Sequence, residues 1–222
     1  MHSKYMAGEN VKIENRHGEV YLIRGGDYVY IPRHGNLGNT PPHRINHKAN
    51  ISALKDENVS CIIGVCSVGS LKKSIKPGTL VVPDDYIFLG ANPTFFNEDA
   101  VHTTPLLDDN IRGMLLQKAK KLDYGVFEGG TYFQTTGPRL ETKAEINMLS
   151  DYADVVGMSM ASEATCACEL GLRYAAVCRV DNYAHGVVDE VLDFGKIRED
   201  SHLDGGDLEP LLDLVLEELI CF

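Results

Sequence analysis

The sequence has no apolar run long enough to cross a membrane, and its first residues lack the apolar core of a signal peptide. It also has no excess of positive charge, since 21 Lys and Arg residues stand against 32 Asp and Glu, a formal net charge of −11. Nucleic-acid backbones and anionic membranes repel a chain this acidic, whereas a small anion needs only a few local donors. We therefore expect a cytoplasmic protein whose partners include neither nucleic acid nor a membrane.

The cysteines show no Cys-x-x-Cys spacing of the kind that holds a metal. Most of them lie inside apolar stretches, which is typical of reduced thiols packed in the core of a cytosolic protein. We expect no metal centre, and we interpret the Cys166-x-Cys168 pair as core packing rather than as a redox pair. The six cysteines are Cys61, Cys66, Cys166, Cys168, Cys178 and Cys221.

Strand patterns alternate with helix patterns along most of the chain. A composition of 44% hydrophobic and 24% charged residues over 222 positions is typical of one globular domain. The alternation predicts an α/β fold, a single domain spanning 1–222 with a central mixed, twisted sheet flanked by helices. Residues 88–106 show no period and are predicted to form a long loop. Predicted strands are 11–13, 19–23, 28–31, 60–65, 79–82, 130–134, 153–156 and 173–180, and predicted helices are 45–53, 109–122, 141–149, 160–170 and 207–219.

Two groups of polar residues directly follow predicted strands. Arg33 and His34 offer a guanidinium fork and a second donor, which suit a phosphate, or they are an exposed arginine and a turn histidine. The segment Cys66 to Ser70 is predicted to be a turn of small residues whose backbone N–H groups bind an anion. Its alternative is a strand-to-helix turn with no ligand.

Four further residues each have a functional and a purely structural interpretation. Glu141, after Leu140 in a Gly-Pro turn, is either a binding carboxylate or a favourable acid in a first helical turn. Met158 is an apolar surface for a sugar or a core residue, and Ser159 is an anion ligand or a helix N-cap. Asn182 is a ligand or a turn residue.

In chain order these residues resemble the trimeric-type purine nucleoside phosphorylase and methylthioadenosine phosphorylase family, whose members cleave purine nucleosides with phosphate. The resemblance runs from about residue 28 to 185. It rests on many short matches in the same order rather than on any single motif. The matching segments are Arg33-His34-Gly35, Pro41-Pro42-His43-Arg44-Ile45-Asn46 with Ala49-Asn50, Ser67 to Leu71, Lys76-Pro77-Gly78, Gly137-Pro138-Arg139-Leu140-Glu141, Gly157-Met158-Ser159 with Glu163, and Asn182-Tyr183.

The resemblance implies a role for each matching residue. Arg33, His34 and Ser159 are expected at the phosphate, and Met158 under the ribose. Asn182, Glu141 and His34 are expected to be catalytic. The full set of expected substrate-binding residues is Arg33, His34, Cys66, Ser67, Leu140, Glu141, Met158, Ser159 and Asn182.

The chemistry of the base favours one class of purine. A carboxylate such as Glu141 only accepts hydrogen bonds, so it suits the N1–H of a 6-oxopurine and opposes the N1 acceptor of adenine. Asn182 is expected to donate to N7 or O6 as negative charge enters the purine. We therefore predict phosphorolysis of inosine or guanosine with inorganic phosphate as co-substrate and no cofactor. The alternatives are a methylthioinosine or methylthioadenosine phosphorylase, and a catalytically impaired nucleoside-binding relative.

The chain departs from the family pattern at three places, and these departures bear on activity. The chain has no N-terminal apolar strand ending in a Gly-Gly-Thr-Gly or Gly-Gly-Ser-Gly turn, which predicts weak phosphate affinity and doubtful activity. Gly38 stands where the family often has a histidine, and His47 replaces a usual tyrosine. The resemblance also implies a homotrimer or a hexamer.

Overall fold

The computed structural model describes residues 4–189 and 208–220. A small antiparallel sheet is formed by β1 (Glu9–Asn15), β2 (Gly18–Arg24) and β3 (Val29–Tyr30). In these two ranges the main sheet has seven strands: β4 (Cys61–Ser70), β5 (Leu80–Val82), β6 (Asp85–Phe88), β7 (Val126–Glu128), β8 (Thr131–Gln134), β9 (Val155–Gly157) and β10 (Arg173–Tyr183). Their order is β6-β8-β9-β4-β10-β5-β7, with parallel and antiparallel pairs mixed.

Within the described residues five helices flank the sheet: α1 (His47–Asp56), α2 (Asp109–Lys121), α3 (Lys143–Leu149), α4 (Met160–Glu169) and α5 (Glu209–Ile220). Helices α1 and α4 pack on one face, and α2 and α5 on the other. This confirms the predicted α/β domain with a central mixed sheet flanked by helices. No helix within the described residues is long and apolar enough to span a bilayer.

The longest strands, β4 and β10, run parallel side by side and hold the two cores together. Ala176 and Cys178 of β10 face the α1 and α4 side, whereas Ala175 and Val177 face the α2 and α5 side. All four are fully buried, so successive side chains serve opposite layers, as the period of a strand requires.

Several local predictions need correction. The segment Cys66 to Ser70 is not a turn, because β4 continues through it in register with β10. Asn182 likewise lies within β10 rather than in a turn after it. Glu141 precedes helix α3, whose first-turn acid is Glu145, the partner of Thr142 in a capping box. The short strands β6 and β7 were not predicted, and β1 to β3 form their own sheet.

One side of β4 is incompletely paired within the described part of the chain. Antiparallel β9 pairs only with Gly69 and Ser70, and no described strand lies beside residues 61–68 on that side. The Val65 carbonyl there accepts instead from Nη1 of Arg33, at 2.6 Å. The side chains of Ile62 and Ile63 are only partly buried, whereas those of their β10 partners Tyr174 and Ala175 are buried.

Candidate active site

The turn after β8 packs against the end of β9. Gly137 has φ +66°, and a Cβ atom there would lie 2.5 Å from Sδ of Met158. Glycine both permits the left-handed backbone and leaves room for the methionine. Backbone N–H of Thr135 donates to the carbonyl of Gly157 at 2.9 Å, which fixes the two chain segments to each other.

Glu141 lies in this turn as a buried carboxylate, 8% exposed. Its Oε1 accepts from the Thr135 hydroxyl at 2.5 Å, and its backbone carbonyl lies 3.2 Å from Nδ1 of His185. The carboxylate borders a cavity of about 270 Å³ whose walls include Phe88, Leu89 and Gly137. The cavity thus combines an oriented acceptor with both apolar walls and polar neighbours such as Arg139 and Glu145, a mixture that suits a small polar ring.

Arg33 lies in a buried ion pair with Glu163 of α4. Its Nε donates to Oε1 at 2.5 Å and its Nη2 to Oε2 at 3.1 Å, while Tyr174 donates its hydroxyl to Oε2 at 2.8 Å. Burial alone would raise the pKa of Glu163, but the charge and hydrogen bonds of Arg33 bring it below its ordinary value. With Nη1 on the Val65 carbonyl, the guanidinium keeps two of its five N–H groups for another acceptor.

Ser159 and Cys66 lie next to this ion pair. Ser159 is the N-cap of α4 by position, yet its side chain makes no capping hydrogen bond and contacts the Cys66 thiol instead. Cys66 is buried beside Cys178, its partner in the β4–β10 register. The hydrogen bond with Cys178 lowers the pKa of the Cys66 thiol, and the charge of Arg33 lowers it further, against the effect of burial.

Two histidines lie near Arg33. Nδ1 of His34 is 2.9 Å from the Thr40 carbonyl, so Nδ1 carries the proton and the other ring nitrogen accepts in the neutral form. Burial lowers the pKa of His34, and the charge of Arg33 adds to this. His47, the first residue of α1, is also buried and its pKa is lowered by burial.

Asn182 lies beyond a bulge in β10 and pairs with Gly69 of β4. Its Nδ2 donates to the carbonyl of Tyr183 at 2.7 Å, which holds the amide and leaves its second N–H for a ligand. Ser67 donates its hydroxyl to the carboxylate of Asp181. Leu140 is half-buried, and its carbonyl accepts from Arg139 at 3.1 Å.

The predicted residues thus fall into two groups joined at the end of β9. Met158 packs against Gly137 in the turn that carries Glu141, and Arg33 lies near Cys66 and Ser159 in the other group. Ser67 and Asn182 lie apart from both groups in the adjoining strands β4 and β10. Met158 and Ser159 are consecutive, so they link the groups. The sequence interpretation assigned no role to Glu163, Thr135 or Asp181. Glu163 was named with the matching segment at Gly157, and Thr135 lies just before the one at Gly137, but only the fold shows what these two side chains contact.

The fold of these elements matches solved structures of one enzyme class. Methylthioadenosine phosphorylase from Schistosoma mansoni, in complex with adenine, superposes with a TM-score of 0.85 at 21% identity, covering 96% of this chain and 86% of that one. The match identifies the same mixed-sheet fold. A family model described as the phosphorylase superfamily matches residues 2–216, and the chain therefore belongs to the phosphorylase superfamily.

Curated relatives narrow the comparison within that family. A probable 6-oxopurine nucleoside phosphorylase from Archaeoglobus fulgidus is 46% identical over 196 residues, 86% of this chain and 81% of the relative. A probable S-methyl-5'-thioinosine phosphorylase from Methanothermobacter thermautotrophicus is 40% identical, covering 90% and 71%. An S-methyl-5'-thioadenosine phosphorylase from Pyrococcus furiosus is 37% identical, covering 79% and 72%.

Proposed function

We propose that the whole chain forms one nucleoside phosphorylase domain that cleaves 6-oxopurine nucleosides of the inosine and guanosine type. The products are the free base and ribose 1-phosphate. The observation that carries this proposal is the buried Glu141 carboxylate, held by the Thr135 hydroxyl at the wall of a cavity. The name of the relative at 46% identity, a probable 6-oxopurine nucleoside phosphorylase, supports it.

The purine is read by two side chains in this proposal. Glu141 accepts from N1–H, and from the 2-amino group of guanine, whereas adenine would place its N1 acceptor against the carboxylate. Such a buried mismatch costs about 1–3 kcal/mol, which corresponds to a selectivity of roughly 5- to 150-fold. Asn182 donates its remaining N–H to N7 or O6 and stabilises the charge that enters the ring.

Phosphate binds at the other group, with Arg33 and Ser159 as donors. Its attack on the anomeric carbon breaks the glycosidic bond, and Met158 supplies an apolar surface under the ribose. Neutral His34 presents an acceptor nitrogen, because its Nδ1 proton is held by the Thr40 carbonyl. It therefore suits the single P–OH group of hydrogenphosphate. Phosphate is itself the nucleophile, so the reaction needs no metal or organic cofactor.

The N-terminal Gly-rich turn predicted to be missing bears on phosphate affinity. In the described residues, no strand carrying such a turn lies beside Cys61 to Val68 of β4. We propose an active enzyme in which Arg33, His34 and Ser159 contact the phosphate, and the prediction of weak phosphate affinity is tested by the KM for phosphate. The homotrimer or hexamer and the cytoplasmic location stay predictions, the first testable by light scattering.

A methylthioinosine phosphorylase is the second candidate. Leu89, at the start of the loop of residues 88–106, is an apolar side chain that is 82% exposed, and such a surface beside the sugar favours a methylthio group over a hydroxyl at the 5' end. The relative from Methanothermobacter thermautotrophicus carries that name. The two candidates share the base site and differ only at the sugar.

The test is the phosphate-dependent release of base from inosine, S-methyl-5'-thioinosine and adenosine. We expect kcat/KM for inosine to exceed that for adenosine at least about 5-fold, and Glu141→Ala to remove this preference. Glu57→Gln, which changes a glutamate paired with Arg24 at the C-terminal end of α1, serves as the control and should keep it. Nucleoside binding by calorimetry without turnover at millimolar phosphate would identify an impaired relative, and a preference for adenosine would refute the proposed base site.

A further inference from the structure

His47 has an unsatisfied ring nitrogen in the interior of the protein. Its side chain is 9% exposed, and Nδ1 is buried with no hydrogen-bond partner. Among the described residues no other buried side-chain nitrogen or oxygen lacks a partner. Because a buried polar atom without a partner is unfavourable, Nδ1 is expected to meet a group that the protein chain does not supply.

The surroundings of His47 indicate what that group is. The charged and titratable side chains that act on it are Glu163, Arg33 and His34. Glu163 is already occupied, since its oxygens accept from Arg33 and Tyr174. The hydrogen-bonding groups that stay available in this cluster are therefore mostly donors, including two N–H groups of Arg33.

The local backbone adds to this. His47 begins α1, a ten-residue helix, and Glu163 lies in the first turn of α4, which packs against α1. Helix N-termini favour negative charge. An unpaired imidazole, a partly used guanidinium and two helix starts together suit an anion with several acceptor oxygens.

We propose that His47 is a further ligand of the phosphate co-substrate, donating its Nδ1–H to a phosphate oxygen beside Arg33 and His34. This inference rests on the proposed function, in which phosphate binds at Arg33. His47 then supplies one donor to the phosphate in addition to those of Arg33 and Ser159.

The test uses three variants of the full chain. His47→Phe keeps an aromatic ring but removes both nitrogens, whereas His47→Asn places an amide near the position of Nδ1. Lys55→Gln changes an exposed residue of the same helix and is the matched control. For each variant the KM for phosphate, the KM for inosine, kcat and the melting temperature are measured.

We expect His47→Phe to raise the KM for phosphate about 10- to 100-fold, the range for one hydrogen bond to a charged group. The KM for inosine should change less than about 3-fold, and His47→Asn should recover most of the phosphate affinity. A folded His47→Phe protein with the phosphate KM of the parent would overturn the inference. A purely packing role would instead change the melting temperature and both KM values together.

A second measurement holds even if His47→Phe does not fold. In the parent protein labelled with ¹⁵N-histidine, the His47 Nδ1 resonance is assigned by its loss in His47→Asn, and phosphate is added against chloride at equal ionic strength. A shift with phosphate alone supports the inference, and no shift at saturating phosphate contradicts it. A shift without turnover of any nucleoside would reject the proposed reaction while keeping His47 as an anion ligand. Turnover of a nucleoside without such a shift would support the proposed reaction and reject His47 as a phosphate ligand.

Discussion

Replacing Glu163 by glutamine tests the buried ion pair at the centre of the candidate site. The change keeps the shape of the side chain but leaves the Arg33 guanidinium buried without its counter-charge. Breaking a buried pair by removing one partner costs about 3–5 kcal/mol. Side-chain exposures of 19% for Arg33 and 8% for Glu163 place this pair in that class. We therefore expect Glu163→Gln to lose about 3–5 kcal/mol of unfolding free energy.

The assay is urea denaturation followed by circular dichroism, with Glu57→Gln as the matched control. Glu57 makes a similar two-bond contact with Arg24, but the Arg24 side chain is 42% exposed, so solvent reaches and screens that pair. The control should therefore unfold almost like the parent. A Glu163→Gln protein that also unfolds like the parent would refute the assignment of a desolvated pair.

The pH dependence of the same variant gives an independent check. Because Arg33 holds the pKa of Glu163 below its ordinary value in the folded state, the ionised carboxylate stabilises the fold. That contribution is fully present above the ordinary carboxyl pKa and is lost as the pH falls through the folded-state pKa. Glu163→Gln should flatten this acid limb. An unchanged acid limb would mean that another carboxylate causes it.

Three further predictions concern the turn between β8 and α3. Gly137→Ala forces alanine into a left-handed backbone against the Met158 sulfur. We therefore expect denaturant titrations to show a loss of about 1–3 kcal/mol in the free energy of unfolding, together with a lower kcat/KM for inosine. Normal activity would show that the contact is dispensable. Thr142→Ala removes the α3 capping box and should cost about 0.5–2 kcal/mol of stability without changing the inosine-to-adenosine ratio. Hydrogen bonding with Arg139 lowers the pKa of Glu145 to about 2, so its contribution should be lost between about pH 4.5 and 2, and NMR titration of its carboxyl carbon with a midpoint above 4 would contradict this.

The clearest strand predictions came from runs of consecutive apolar residues. The run from Cys61 to Val65 and the run from Arg173 to Val180 are almost continuously apolar, and both lie in the centre of the sheet. The strands β6 and β7 have four and three residues, too few to show a period. Both are edge strands held by one neighbour each, so their pairing depends on tertiary contacts.

The candidate site was predicted less evenly. Small polar residues usually end a strand, so Cys66 to Ser70 indicated a turn, but ladder pairing with β10 keeps this segment extended. Likewise, the pairing of Arg33 with Glu163 joins residues 130 positions apart. No local pattern encodes such a contact. The resemblance supplied the residue types of the site, and the fold supplied their partners.

The bulge in β10 separates the part of the strand that packs in the core from the part that carries Asn182. Before Asp181, the side chains from Tyr174 to Cys178 pack alternately against the two helical layers, so a substitution there disturbs packing. The register shift between Val180 and Asn182 breaks this alternation, so the direction of the Asn182 side chain no longer follows from it. Substrate preference can therefore diverge among descendants of this fold by exchange of residues beyond the bulge, while the framework that carries them is inherited unchanged.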